Sequence, residues 1–240
     1  VLTYIKPKII LLDDDQSLLD VIHYYFTEQF KDSVIVKTFS KSKDCLTYLE
    51  KYCYLPDSPM EILYSFYESD MNKALITKTL KDLSELSAII VLDQELRGES
   101  ITGIDISATI REYFPASYIS MLTSNVSNSR AIQLHNNHNI DLFIDKKDTD
   151  AIHNLYTYLA EHIDTNNNQY ALDSIDIFPN STIIESNPYV LCKKALLKQQ
   201  NPLAFLTLNA NGDIAISQDN EQVSFWQYNS KENNFIAYEY

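Results

Sequence analysis

Glycine is scarce in this chain: three residues in 240, at Gly98, Gly103 and Gly212. Cysteine is as rare, and Cys45, Cys53 and Cys192 are odd in number with no CxxC spacing, so neither a disulfide framework nor a zinc site is implied. Basic residues are also short, with 19 Lys and Arg against 33 Asp and Glu and a net charge of −14. Such a surface repels phosphate backbones and anionic lipid, which argues against nucleic acid and membrane as partners. Long apolar runs are missing as well. The N-terminal run Ile9 to Leu12 ends in three aspartates and is too short for a signal peptide or a membrane span. These absences predict a soluble, cytoplasmic protein, and its 45% hydrophobic content is enough for a sizeable core.

What is present is an alternation. "KIILL" (8 to 12), "VIVKTF" (34 to 39), "AIIVLD" (88 to 93), "YISMLT" (118 to 123) and "DLFID" (141 to 145) have strand length and β-branched content. Between and after them, segments 16 to 30, 41 to 52, 103 to 114, 129 to 138 and 150 to 163 place apolar residues at helical spacing. Strands apolar on both faces and separated by helices predict a five-stranded, doubly wound parallel α/β sheet. Residues 55 to 87 interrupt this pattern and are too long for a loop. Met60, Leu63, Phe66 and Tyr67, then Leu80, Leu83 and Leu86, predict two inserted helices. The insertion joins a helix to the start of a strand, so it should lie away from the carboxyl ends of the strands.

The polar run "DTNNNQ" (164 to 169) reads as a linker, which sets domains at 1–165 and 166–240. The second is expected to be a small α+β module. Its helix spans 187 to 200, with Pro188 in the first turn and Val190, Leu191 and Leu197 buried. Antiparallel strands follow, the first two joined at Asn211-Gly212.

In an open parallel α/β sheet, ligands bind beyond the carboxyl ends of the strands. Asp13, Asp14 and Asp15 follow the first strand and Asp93 the third, while Thr123 and Lys146 stand at the ends of the fourth and fifth. Converging carboxylates repel one another unless a cation sits among them, and an all-oxygen set suits Mg²⁺. With a hydroxyl and an ammonium beside them, such a group can stabilise a transferring phosphoryl group. Asp15, just before a periodic helix, is better placed as its N-cap than as a third ligand. His135 and His138 have no acid or cysteine partners and read as a solvated helix end.

The motifs "IILLDDDQSLLD", "IIVLDQELRGESITGID", "ISMLTSN" and "LFIDKKD" resemble those of the receiver domain of two-component response regulators, a flavodoxin-like fold. The resemblance covers residues 7 to about 163. It implies Asp13 and Asp14 as metal-side acids, Asp93 as phosphoacceptor and metal ligand, and Glu95 as donor of a backbone carbonyl to Mg²⁺. It further implies Thr123 as the switch hydroxyl, Lys146 as the phosphoryl-pairing lysine and Phe143 as the switch aromatic. The partners implied are a sensor histidine kinase or phosphotransfer protein. Three departures stand out: a loop after Asp93 about two residues longer than usual with Arg97 in place of a common proline, Lys147 in place of another, and the insertion. For output, residues 166 to 240 hold four lysines against eight acids, which makes DNA an unlikely target. They also lack histidine and a glycine-rich phosphate loop, which argues against an output enzyme. A downstream protein partner or homodimerisation is the expectation, with a DNA-binding regulator as the alternative.

Overall fold

The computed structural model describes residues 3–52, 59–85, 88–113, 117–124, 139–169, 178, 181–218 and 222–239. Among them, ten strands form two five-stranded sheets, one parallel and one antiparallel. The chain divides accordingly into two compact units: 7–55 with 87–164, and 1–6 with 56–86 and 165–240.

The parallel sheet is built from β2 (Lys8–Leu12), β3 (Ile35–Phe39), β4 (Ala88–Leu92), β5 (Tyr118–Thr123) and β6 (Leu142–Asp145), in the order β3-β2-β4-β5-β6. Its helices are α1 (Gln16–Phe30), α2 (Ser42–Tyr52), α5 (Gly103–Tyr113) and α6 (Ala151–Gln169). The two faces follow from strand alternation. Ile10, Leu12, Ile90, Leu92, Ile119 and Met121 pack on Cys45 and Leu49 of α2 and on Ile106 and Ile110 of α5. The intervening residues Ile9, Leu11, Ile89, Val91 and Leu122 pack on Leu19, Ile22 and Phe26 of α1 and on Leu155 and Leu159 of α6. Both faces are therefore dry, as continuous apolar strands require.

Local signals set the helix ends. Asp15 accepts from the backbone N–H groups of Ser17 and Leu18 and caps α1, which ends where Lys31 takes a left-handed φ of 52°. Thr102 and Asp105 form a reciprocal capping box at α5. The expected helix at 129 to 138, with His135 and His138, lies outside the described residues. The polar run at 164 to 169 is not a linker but the last turns of α6. Asparagine and threonine are weak helix formers, but a helix already propagated from Ala151 needs no new nucleus to extend through them.

The antiparallel sheet has the order β1-β7-β8-β9-β10, from β1 (Thr3–Ile5), β7 (Ala204–Thr207), β8 (Ile214–Ser217), β9 (Val223–Asn229) and β10 (Asn234–Tyr238). The division at 165/166 is thus only part of the domain structure. β1 leaves the N-terminal end of the chain to pair with β7 in the register Tyr4↔Phe205. The insertion forms α3 (Pro59–Glu68) and α4 (Lys73–Glu85), and α4 packs on β7 and β8. Tyr67 donates to the Thr207 carbonyl at 2.8 Å. The insertion therefore belongs with the C-terminal sheet and not with the receiver-like unit to which the sequence assigned it. Neither the three-residue β1 nor a pairing across some 200 residues leaves a local signal.

α7 (Asn187–Gln200) covers the other face of this sheet, capped by Ser186 with Pro188 in its first turn. Tyr189 and Leu196 meet Phe205, Ile214, Ile216 and Tyr228. The buried stripe is Tyr189, Lys193 and Leu196; Leu191, expected inside, is 67% exposed, and Val190 and Leu197 are half-buried. Lys193 misleads periodicity because its stem packs inward with the ammonium 5.1 Å from the Tyr189 ring and 5.8 Å from that of Phe205. The Asn211-Gly212 turn is present, with Gly212 at φ 83°, and a Cβ there would run into the Tyr189 ring. Asn209 holds this turn by accepting from the N–H groups of Asn211 and Asp213.

Candidate functional site

The sheet order reverses between β2 and β4: the chain crosses from β2 outward to β3, then back past β2 to β4. Their carboxyl ends form the crevice where doubly wound sheets bind ligands. Leu12 lies opposite Leu92 in register, so Asp13 and Asp93 leave the sheet side by side. Backbone bonds fix both, from Asp13 N–H to the Phe39 carbonyl at 3.1 Å and from Asp93 N–H to the Leu12 carbonyl at 2.8 Å.

Asp13, Asp14 and Asp93 each offer a carboxylate oxygen, and these lie within 4.8 Å of one another. Asp13 and Asp93 are buried and Asp14 is half-buried. Lys146, just past β6, brings its Nζ to 2.6 Å from Asp13 Oδ2 and 2.9 Å from Asp93 Oδ2. Its backbone N–H is held by the Thr123 carbonyl at 3.0 Å, so the ends of β5 and β6 are locked together. Four of the expected residues thus converge, and Thr123 ends β5 as a fully buried side chain at the same edge.

The electrostatics of this edge are uneven. Burial pushes the Asp13 carboxyl above its ordinary range, only partly offset by Lys146 and by the Asp15 N–H at 2.9 Å, and the charge of Asp93 adds to the rise. Burial also acts against the Lys146 ammonium, but its bonds to Asp13 and Asp93 outweigh that and its pKa is raised. The pair thus favours the charged lysine and disfavours the charged Asp13. One ammonium shared between two carboxylates satisfies itself twice over and each acid only in part. An oxygen cage in carboxylate excess is the donor chemistry of a hard divalent cation.

The loop after Asp93 is held at several points. Leu96 is buried in the core, and the Gly103 N–H donates to the Gln94 carbonyl at 2.9 Å. A Cβ on Gly103 would fall on the Asp93 carbonyl oxygen, so glycine is required where α5 starts against the acid. Sequence reasoning missed Glu99, whose carboxylate accepts from the Ser42 N–H at 2.9 Å and from the Ser42 hydroxyl at the start of α2. A contact across 57 residues leaves no spacing signal. Arg97, seen in the sequence only as a departure, reaches 3.8 Å from Asp14 with its side chain 92% exposed.

Glu95 is exposed, two residues beyond Asp93. Phe143 is half-buried in β6 opposite Met121 and packs on the α2–α5 face of the sheet. Beside Lys146 runs a cleft of about 480 Å³ whose lining includes Leu18, Val21 and Tyr25 of α1 and Ile152 and His153 of α6. Tyr25 Oη and His153 Nδ1 bridge it at 3.0 Å. Among the described residues, no helix is long and apolar enough to cross a membrane.

No protein-family model and no curated protein sequence matches the chain. Solved structures do. The Thermotoga maritima response regulator DrrB, an OmpR/PhoB homologue, aligns over 68% of this chain and 55% of its own at 17% identity and a TM-score of 0.43. The Legionella pneumophila response regulator LqsR aligns over 93% of this chain and 66% of its own at 16% identity and a TM-score of 0.49. A CheY-like receiver domain protein from Methanospirillum hungatei aligns over 68% and 98% at 14% identity and a TM-score of 0.44. This chain therefore spans less than two thirds of the length of the first two. Its parallel unit, with strand order β3-β2-β4-β5-β6 and helices on both faces, has the doubly wound flavodoxin-like topology.

Proposed function

We propose that this chain is a phosphorylation-switched response regulator of the cytoplasm that takes a phosphoryl group on Asp93 from a histidine kinase or a phosphotransfer protein. The observation that carries the reading is the Lys146 ammonium set between Asp13 and Asp93 at the switch point of the sheet. In the reaction, an Asp93 carboxylate oxygen attacks phosphorus, the O–P bond forms and the P–N bond of phosphohistidine breaks. The imidazole leaves with the bonding pair and takes up a proton. Lys146 is placed to follow the charge on the phosphoryl oxygens, turning from a carboxylate to the new group. Asp13, Asp14 and Asp93 would hold Mg²⁺, with the Glu95 carbonyl as a further ligand, and the bound ion would neutralise phosphoryl charge.

Thr123 and Phe143 are the proposed switch pair. Thr123 lies buried at the edge where the phosphoryl group would appear, and Phe143 lies on a neighbouring strand. Reorientation of the hydroxyl toward the phosphoryl group would change what the Phe143 ring packs against, which converts a local charge into a surface signal. The output is assigned to protein–protein contact or dimerisation by the antiparallel unit. Residues 166 to 240, with four lysines against eight acids, favour that over DNA.

Wild-type protein treated with acetyl phosphate and Mg²⁺ should gain one phosphoryl mass, and Asp93→Asn should gain none. Equal modification of Asp93→Asn would remove the phosphoacceptor from this position and the reading with it.

A further inference from the structure

We propose that Arg97 is a displaceable counter-charge of the acidic edge: it pairs with Asp14 in the metal-free protein and gives way to an entering divalent cation, so that it sets how tightly the cation is held. This tuning rests on the reading of Asp13, Asp14 and Asp93 as ligands of Mg²⁺ and adds to it a residue that opposes them.

The loop after Asp93 is built to keep Arg97 in place. The Glu99 N–H donates to the Leu96 carbonyl at 3.1 Å and closes a four-residue turn, and Gly98, third in that turn, takes a φ of 80°. These are the marks of a type II turn, which needs glycine at the third position and favours proline at the second. Both ends of the turn are anchored, Leu96 in the core and Glu99 on the Ser42 N–H at 2.9 Å. Arg97 is the second residue. The backbone there gains nothing from an arginine, and the side chain is 92% exposed. What it contributes is charge, with its Nε 3.8 Å from Asp14 Oδ2.

The three carboxylates are shared between two cations of unequal freedom. Lys146 serves Asp13 and Asp93 at 2.6 and 2.9 Å, and its backbone N–H is fixed to the Thr123 carbonyl. Arg97 serves Asp14, the least buried of the three acids. An exposed pair at this distance is weak, so the guanidinium leaves Asp14 at little cost, whereas the lysine is held by two charge-assisted bonds. A divalent cation entering the cage is repelled by the guanidinium and competes with it for Asp14. Removing the positive charge at 97 should therefore raise cation affinity, and reversing it should raise affinity further.

The test is the affinity of the full chain for Mn²⁺, read from the electron paramagnetic resonance of the free ion, with Mg²⁺ measured by competition. Arg97→Lys keeps the charge and should bind like the wild type. Arg97→Gln keeps the length without the charge and should bind about two- to fivefold tighter in low salt, and Arg97→Glu tighter again. The gap between wild type and Arg97→Gln should close toward about 1 M KCl, where screening reaches only about 3 Å. Lys31→Gln, at the far end of α1, removes the same net charge and should leave affinity unchanged. Affinity that is flat across the three Arg97 variants overturns the proposal. So does Arg97→Lys matching Arg97→Gln, which would make shape the cause, or Lys31→Gln matching Arg97→Gln, which would make net charge the cause. Asp14→Asn separates the two levels: it should weaken Mn²⁺ binding and, in its background, Arg97→Gln should add little. A wild type that takes up no Mn²⁺, or uptake indifferent to Asp14→Asn, removes the metal reading and the proposal together. Uptake that Asp14→Asn weakens while the Arg97 series stays flat removes the proposal alone.

Discussion

The two sheets of this chain use their polar residues in opposite ways. In the parallel unit every strand runs the same direction, so residues just past the strand ends gather at one edge, and Asp13, Asp93, Thr123 and Lys146 meet there with more carboxylate than the lysine can neutralise. In the antiparallel unit successive strand ends lie on opposite sides, and the polar side chains at the β7–β8 turn bond to one another and to the backbone. Asp213 accepts from the Tyr228 N–H at 3.1 Å and from Asn209 Nδ2 at 2.9 Å, and Asn209 holds its own turn. Direction of strand pairing thus decides where unbalanced charge can accumulate. The first unit keeps a charged edge that can do chemistry; the second is built for packing.

The units also differ in how their chain is assembled, and the largest expected effect tests that difference. The antiparallel unit is made of three segments, with the insertion supplying α4 as a cover for β7 and β8. Leu80 is fully buried in α4. Leu80→Ala should cost about 2–5 kcal/mol through lost burial and a residual cavity. Amide hydrogen exchange should show the loss of protection in β7 and β8, with β2 and β4 keeping theirs. Uniform loss in both sheets would mean that the two units unfold as one.

A smaller effect is expected at the acidic edge, where stability and chemistry oppose each other. Since burial raises the Asp13 pKa, the folded chain holds this proton more tightly than the unfolded chain does. The group's favourable contribution is present below the ordinary carboxylate pKa and is lost as pH rises through the raised value. At neutral pH without metal, the ionised Asp13 therefore costs stability. Asp13→Asn should melt higher than the wild type by a few degrees, the scale of about 1 kcal/mol in a chain of this size. Thermal scans should show that gap opening from acid to neutral pH and closing when Mg²⁺ is added to the wild type. A wild type that melts higher than Asp13→Asn in metal-free neutral buffer would show that the bond to Lys146 outweighs burial.

The same contrast explains which parts were legible in the sequence. β2, β5 and α1 are found at their expected bounds, because a strand buried on both faces and a capped amphipathic helix are local patterns. Asp13, Asp14, Asp93 and Lys146 were legible because parallel pairing maps order along the chain onto position at one edge. β1, the allegiance of the insertion and the buried face of α7 were not. The first two are set by pairing between distant segments, and the third by a lysine whose alkyl stem counts as apolar in the fold and as charge in a pattern.

Glu99 belongs to this non-local class, and the smallest predicted effect concerns it. The loop after Asp93 is long, and a longer loop has more freedom to lose on ordering. Glu99 restrains it by accepting from both the backbone N–H and the hydroxyl of Ser42, at the end of α2 where N–H groups lack helical partners. A carboxylate there also meets the positive end of the helix dipole. Ser42→Ala keeps the N–H and loses the hydroxyl, so it should cost about 0.5–1.5 kcal/mol, the range of one hydrogen bond. Glu99→Ala loses both bonds and the charge and should cost more, while in the Ser42→Ala background Glu99→Ala should cost less than it does alone. Denaturant unfolding of the four proteins closes this cycle. Strict additivity would mean that the two side chains do not act on each other, and that the loop carrying Asp93 is held by Leu96 and Gly103 alone.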